Sequence, residues 1–254
     1  MPQVDGRGLL ADARAAYTFA RHWGRDAERS VIVGGASAGC FLAMLIAQHL
    51  QPAPLAVLCV TGIPTFRHPF FNSSVVLDGQ MPTGAEVQAW AEESVCVGWE
   101  PFDDPGVFHL ESILPSGEKN ADFSGEVEET PAASVKSVRE GLYSYYVHHN
   151  AFPSIVGDVD KGFEWALDPA ERAKVQGWPM TIMIQGDADR HVDMEVSLHV
   201  SRCLGNKARL CMAKDQPHLF EREAFLEDDG HRMNAVRMAV ERLDEAVCSA
   251  LAKS

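Results

Sequence analysis

A β-branched run, Val31-Ile32-Val33, stops at Gly34-Gly35, and only five residues later the chain turns apolar and helix-prone at Cys40-Phe41-Leu42. Strand, sharp turn and helix in so short a span place Ser37 at the apex of Gly35-Ala36-Ser37-Ala38-Gly39. This layout is the G-x-S-x-G turn, in which a strained serine tolerates only small neighbours. Small flanking residues let the helix pack close to the strand. The turn also aims the hydroxyl into a cleft and leaves the Ala38 N–H, with the Cys40 N–H nearby, to bind an oxyanion. A tight strand-to-helix turn without chemistry is the plain alternative for Ser37.

Similar alternation continues along the chain. Residues 8–23 read as a helix, with Leu10, Ala13, Tyr17 and Ala20 on one face. Strand 30–34 leads to helix 39–50, and Pro52–Pro54 separates that helix from strand 55–61. Strand 180–185, helix 193–204, strand 208–213 and a final helix over about 229–251 complete the pattern. Strands alternating with helices predict an α/β fold built on a mostly parallel sheet. With 254 residues, 46% of them hydrophobic, the chain suffices for one domain carrying an insertion.

That insertion, residues 66–178, separates the two parts of the core, 1–65 and 179–254. Between Glu92 and Glu129 it holds eleven acidic residues against one base, Lys119. Helical pieces are expected at 84–94, 134–148 and 168–175, and a mobile loop at 116–130. Tyr143, Tyr145, Tyr146, Phe152 and Phe163 predict that its second half packs against something. A long insertion between sheet strands reads as a cap or lid over a site.

The net charge of −14 argues against nucleic acid or an anionic membrane as the main partner. Apolar runs are short, as at Phe41–Ala47, so no membrane span is expected. The N-terminus lacks the basic and apolar regions of a secretory signal, which predicts a cytoplasmic protein. Its six cysteines (40, 59, 96, 203, 211, 248) show no metal or redox spacing and are read as reduced. Neither His148-His149 nor any other group has the spacing of a metal site, and no metal or organic cofactor is expected.

A serine hydroxyl needs a base, and the base needs a carboxylate to orient it. Both fall in loops after later strands. Strand 180–185 runs into Gly186-Asp187-Ala188-Asp189-Arg190-His191-Val192-Asp193, and strand 208–213 into Lys214-Asp215-Gln216-Pro217-His218-Leu219-Phe220. Carboxyl ends of parallel strands are where open α/β sheets place catalytic groups. Three carboxylates of the first loop are candidates for the acid: Asp189, Asp187, which also reads as a turn residue, and Asp193, which also reads as a helix N-cap. For the base, His218 stands beside two competitors, His191, which lies close to the acid loop in sequence, and His231, at the start of the last helix.

Taken together, the Gly35–Gly39 turn (a nucleophile elbow), Gly186-x-x-Asp189-x-x-Val192 and His218-x-Phe220 resemble the α/β-hydrolase superfamily. Ser-Ala-Gly after an apolar strand is most similar to its esterase and lipase branch related to hormone-sensitive lipase. The resemblance covers about residues 8–65 and 176–252. It implies Ser37 as nucleophile, His218 as general base, Asp189 as acid and an ester substrate of small to medium size, neutral where the acidic insertion repels anions. A peptidase or thioesterase of the same superfamily shares these motifs.

The resemblance also implies several strands before the elbow and a His-Gly-Gly-Gly loop that supplies oxyanion donors. The 36 residues before Ser37 contain neither. The expectation is therefore an N-terminally shortened hydrolase whose elbow strand lies at a sheet edge. A homodimer would complete such a sheet, and a non-catalytic binding protein is the alternative from another class.

Overall fold

The computed structural model describes residues 3–24, 28–74, 77, 81–92, 141–223, 226–227 and 230–252. Four strands form one sheet in chain order: β1 (Val33–Ala36), β2 (Ala56–Val60), β3 (Met180–Gly186) and β4 (Ala208–Ala213). All three pairings are parallel, running Val33↔Val57 to Ala36↔Val60, Ala56↔Met180 to Val60↔Ile184, and Thr181↔Ala208 to Gly186↔Ala213. Parallel neighbours demand crossovers, and helices supply the first and the last. Among the described residues, α2 (Gly39–His49) links β1 to β2, and α7 (Met194–Leu204) links β3 to β4. Helix α1 (Gly6–His22) precedes the sheet and α8 (Asn234–Leu251) follows it.

Side-chain alternation along the strands sorts the core into two layers. Val57, Cys59 and Met183 join Cys40, Ala43, Met44 and Ala47 of α2 and Val200, Cys203 and Leu204 of α7. Ala56, Ile182, Ile184 and Cys211 face the other way, onto Ala235 and Ala239 of α8. The sheet is thus covered by α2 and α7 on one face and α8 on the other. Its β1 edge is unpaired among the described residues, as expected for the elbow strand.

Strand β1 differs from the expected 30–34. It begins at Val33 and runs through Gly34 and Gly35 to Ala36, because those residues pair with Leu58, Cys59 and Val60. The last helix starts at Asn234 rather than about 229, after a single 3₁₀ turn at His231–Met233. Cysteines 40 and 59 correct a second expectation. They form a disulfide with a Cα separation of 5.2 Å, since the first turn of α2 lies directly over β2. Cys203 and Cys211 are buried thiols, Cys248 is an exposed one, and Cys96 lies outside the described residues.

Between β2 and β3 the described insertion contains α3 (Gly84–Glu92), α4 (Leu142–His148), α5 (Phe152–Val156) and α6 (Arg172–Gly177). Its aromatics pack on the core helices: Phe66 stacks on Phe152 at 4.1 Å and meets Phe41 of α2 edge-on at 5.0 Å. Phe163 packs instead with Trp178 in the layer shared by α2 and α7. The buried carboxylate of Asp160 ties the two ends of this segment together. It accepts from Thr65 Oγ1 (2.8 and 3.0 Å), Phe66 N (2.7 Å) and Gly162 N (3.0 Å). The expected loop 116–130, the helical start at 134 and all but Glu92 of the acidic stretch lie outside the described residues. No described helix is long and apolar enough to cross a membrane.

Candidate active site

Ser37 stands between β1 and α2 with φ of +50°, in the left-handed region that costs a non-glycine residue about 1–3 kcal/mol. The neighbouring chain holds it there. Ser37 N donates to Val60 O at 3.0 Å, and Ile63 N donates to Ser37 O at 3.0 Å. Gly35 is the small neighbour that packing requires, since a Cβ there would lie 2.2 Å from the Gly39 carbonyl. At Gly39 a Cβ would meet nothing, so the second glycine answers to no contact. Ala38 occupies the cap position of α2, which no side chain caps. Its N–H therefore belongs to the set of amides that a helix start leaves without intrahelical partners. The Cys40 N–H, expected as a further oxyanion donor, instead donates to Ser37 O at 3.1 Å and is already spent.

The acid loop leaves β3 at Gly186 and runs against the loop that follows β4. A side chain at Gly186 would strike the Gln216 carbonyl at 2.1 Å, so only glycine allows this approach. Asp187 Oδ1 accepts from Asp215 N and braces the two loops. Asp193 caps α7 by accepting from Glu195 N at 2.7 Å. Both acids thus do the structural work that their sequence positions predict.

Asp189 does something else. Its side chain is fully buried and takes four donors, two on each oxygen. Oδ1 accepts from His191 N (2.8 Å) and Val192 N (3.0 Å), while Oδ2 accepts from Gln185 Nε2 (2.8 Å) and faces His218 Nδ1 at 2.8 Å. On the far side of the ring, His218 Nε2 lies 3.0 Å from Ser37 Oγ. The three sequence-nominated residues are therefore one continuous line of hydrogen bonds, drawn from the ends of β1, β3 and β4. His191 contributes its backbone and a ring 5.2 Å from that of His218, and His231 sits in the turn before α8.

Three contributors escaped sequence reading. Gln185 is buried in β3 and reads there as one more strand residue. Thr61, with φ of +41°, accepts from Leu219 N at 3.3 Å and so ties the His218 loop to the end of β2. Tyr143, from α4, donates its hydroxyl to His191 O at 2.5 Å. Burial, reinforced by the nearby Asp189 charge, pushes the Tyr143 hydroxyl above its usual range, so it stays a neutral donor. Only Tyr143 carried a signal, as one of the aromatics expected to pack. Glu221, one turn after His218, has a buried Oε2 without a hydrogen-bond partner. Burial raises its carboxyl, against the lowering pull of its own backbone hydrogen bond and of nearby His218 and Arg222.

No protein-family model matches the chain, and no curated protein does. Solved structures do. An alpha/beta hydrolase superfamily protein from Enterococcus faecalis aligns over 97% of this chain and 74% of its own, with 16% identity and a TM-score of 0.54. A protein with unknown function from Staphylococcus aureus subsp. aureus Mu50 aligns over 98% of this chain and 75% of its own, with 14% identity and a TM-score of 0.51. Parallel sheet, crossover helices and a strained serine at the strand-to-helix turn agree with that likeness: the chain has an α/β-hydrolase fold.

Proposed function

We propose that this chain is a serine hydrolase that cleaves carboxylic esters of small to medium neutral molecules. The observation that supports it best is the line Asp189 Oδ2–His218 Nδ1 (2.8 Å) and His218 Nε2–Ser37 Oγ (3.0 Å). In this reading His218 takes the Ser37 proton as Oγ attacks the ester carbonyl. Asp189 holds the ring with its proton on Nδ1, so that Nε2 is free to accept. Negative charge developing on the carbonyl oxygen is met by the Ala38 N–H at the start of α2. His218 then protonates the leaving alcohol. Water deprotonated by the same nitrogen releases the acid from Ser37. The preference for a neutral over an anionic substrate rests on the acidic residues of the insertion, which disfavour approach of an anion, and on its aromatics.

A fluorophosphonate probe tests this reading. It should form an adduct that maps to Ser37 by mass spectrometry and that Ser37→Ala abolishes, with hydrolysis of p-nitrophenyl butyrate lost in parallel. A folded wild-type chain that neither labels nor turns over the ester would overturn it.

A further inference from the structure

Asp189 is held by more than the histidine it orients. Gln185 is fully buried in β3, and its amide sits on the same carboxylate oxygen that His218 uses. The orientation of that amide follows from its neighbours. One end faces Asp189 Oδ2 at 2.8 Å and Val192 O at 3.1 Å, both pure acceptors, so it must be the NH₂ group. The other end faces Ser197 Oγ at 3.3 Å, which can donate to it. Flipping the amide would set an oxygen against two oxygens, so Asp189 and Val192 fix its orientation. Gln185 is the one side chain besides His218 that these hydrogen bonds direct at the acid.

Resting on the proposed hydrolase reading, we infer that Gln185 is a positioning residue of the catalytic line: it fixes the Asp189 carboxylate and shares its charge with His218. A carboxylate this deeply buried must be stabilised by donors, and each donor draws charge from the oxygen it touches. The two backbone N–H groups fix Oδ1. Gln185 fixes Oδ2 in the direction that meets His218 Nδ1, from a strand rather than a loop, so the constraint is rigid. Its loss leaves Oδ2 bound to the imidazole alone. The plane of the carboxylate is then freer, and more of its charge falls on His218.

Gln185→Met keeps the length of the side chain and removes both polar ends. It should lower kcat on p-nitrophenyl butyrate by about 10- to 100-fold with KM within about twofold. The His218 imidazole titration, followed by NMR, should move to higher pH. Gln185→Glu separates positioning from packing. Its introduced carboxyl donates to Oδ2 only while protonated and repels it once ionised. The ratio of its kcat/KM to that of wild type should therefore fall as pH rises, whereas the Gln185→Met ratio stays low throughout.

Ser197→Ala removes the far contact and leaves the donor, so it should lower melting temperature without moving the His218 titration. If Gln185→Met and Ser197→Ala both merely lower stability, with the His218 titration and kcat as in wild type, the inference fails while the hydrolase reading stands. If the His218 titration responds to Gln185→Met but wild type neither labels at Ser37 nor hydrolyses esters, the hydrolase reading fails and the link from Gln185 to His218 survives.

Discussion

Replacing Asp189 by Asn changes one atom and should cost nearly all of the activity, for a reason legible in its four contacts. The NH₂ group must face one of two sides. Toward Oδ1 it would meet the backbone N–H groups of His191 and Val192, at 2.8 and 3.0 Å, neither of which can turn away. Toward Oδ2 it meets Gln185 Nε2 and the His218 ring, and the ring can move its proton from Nδ1 to Nε2. The second arrangement is the less costly. It leaves Nε2 protonated against Ser37 Oγ, so the base can no longer take the serine proton. Loss of the correct tautomer in such a line lowers kcat by about 10⁴-fold. The assay is the steady-state rate on p-nitrophenyl butyrate beside the rate of fluorophosphonate labelling, with Asp187→Asn as companion. Asp187 only braces Asp215 N, so its variant should keep kcat within about threefold. An Asp189→Asn enzyme within tenfold of wild type, or a larger loss in Asp187→Asn, would refute the assignment of the acid.

Asp160→Asn should destabilise the chain by about 3 kcal/mol, because its NH₂ must face either Phe66 N–H or Gly162 N–H in a site without water access. With a urea m-value of about 2–3 kcal/mol/M, the unfolding midpoint should drop by about 1 M, and an unchanged midpoint would show that Asp160 is not the tie it resembles. Glu221→Gln should raise the melting temperature at pH 7.5 by roughly 1–3 °C. The sign follows from burial: a carboxyl raised above its ordinary range binds its proton more tightly in the folded state, so stability is lost as pH rises through that raised value. The gain should vanish in melts below the ordinary glutamate range, and a gain that persists there would exclude this cause.

Most described strands and main helices were legible in the chain because hydrophobic period and punctuation agree locally, as at Pro52–Pro54 between α2 and β2 and Gly205-Asn206 before β4, whereas Gly34-Gly35 lies inside β1 instead of ending it. Ser37, Asp189 and His218 each sit just beyond a strand, where a parallel sheet presents its loops, and the resemblance to the α/β-hydrolase pattern singled them out among their neighbours there. Their separation of 181 residues between Ser37 and His218, closed to 3.0 Å, is a property of strand order alone. Periodicity has no access to contacts between chain-distant atoms, which is why the disulfide between Cys40 and Cys59 went unread. The same blindness hid the Gln185 amide on Asp189, the Thr61 hydroxyl on the His218 loop and the capture of the Cys40 N–H by Ser37 O. Sequence by itself determined the alternation of elements and the residue types at strand ends, because those depend on near neighbours. Only the tertiary structure decided which buried polar groups meet, because each must find its partner wherever folding brings one within about 3 Å.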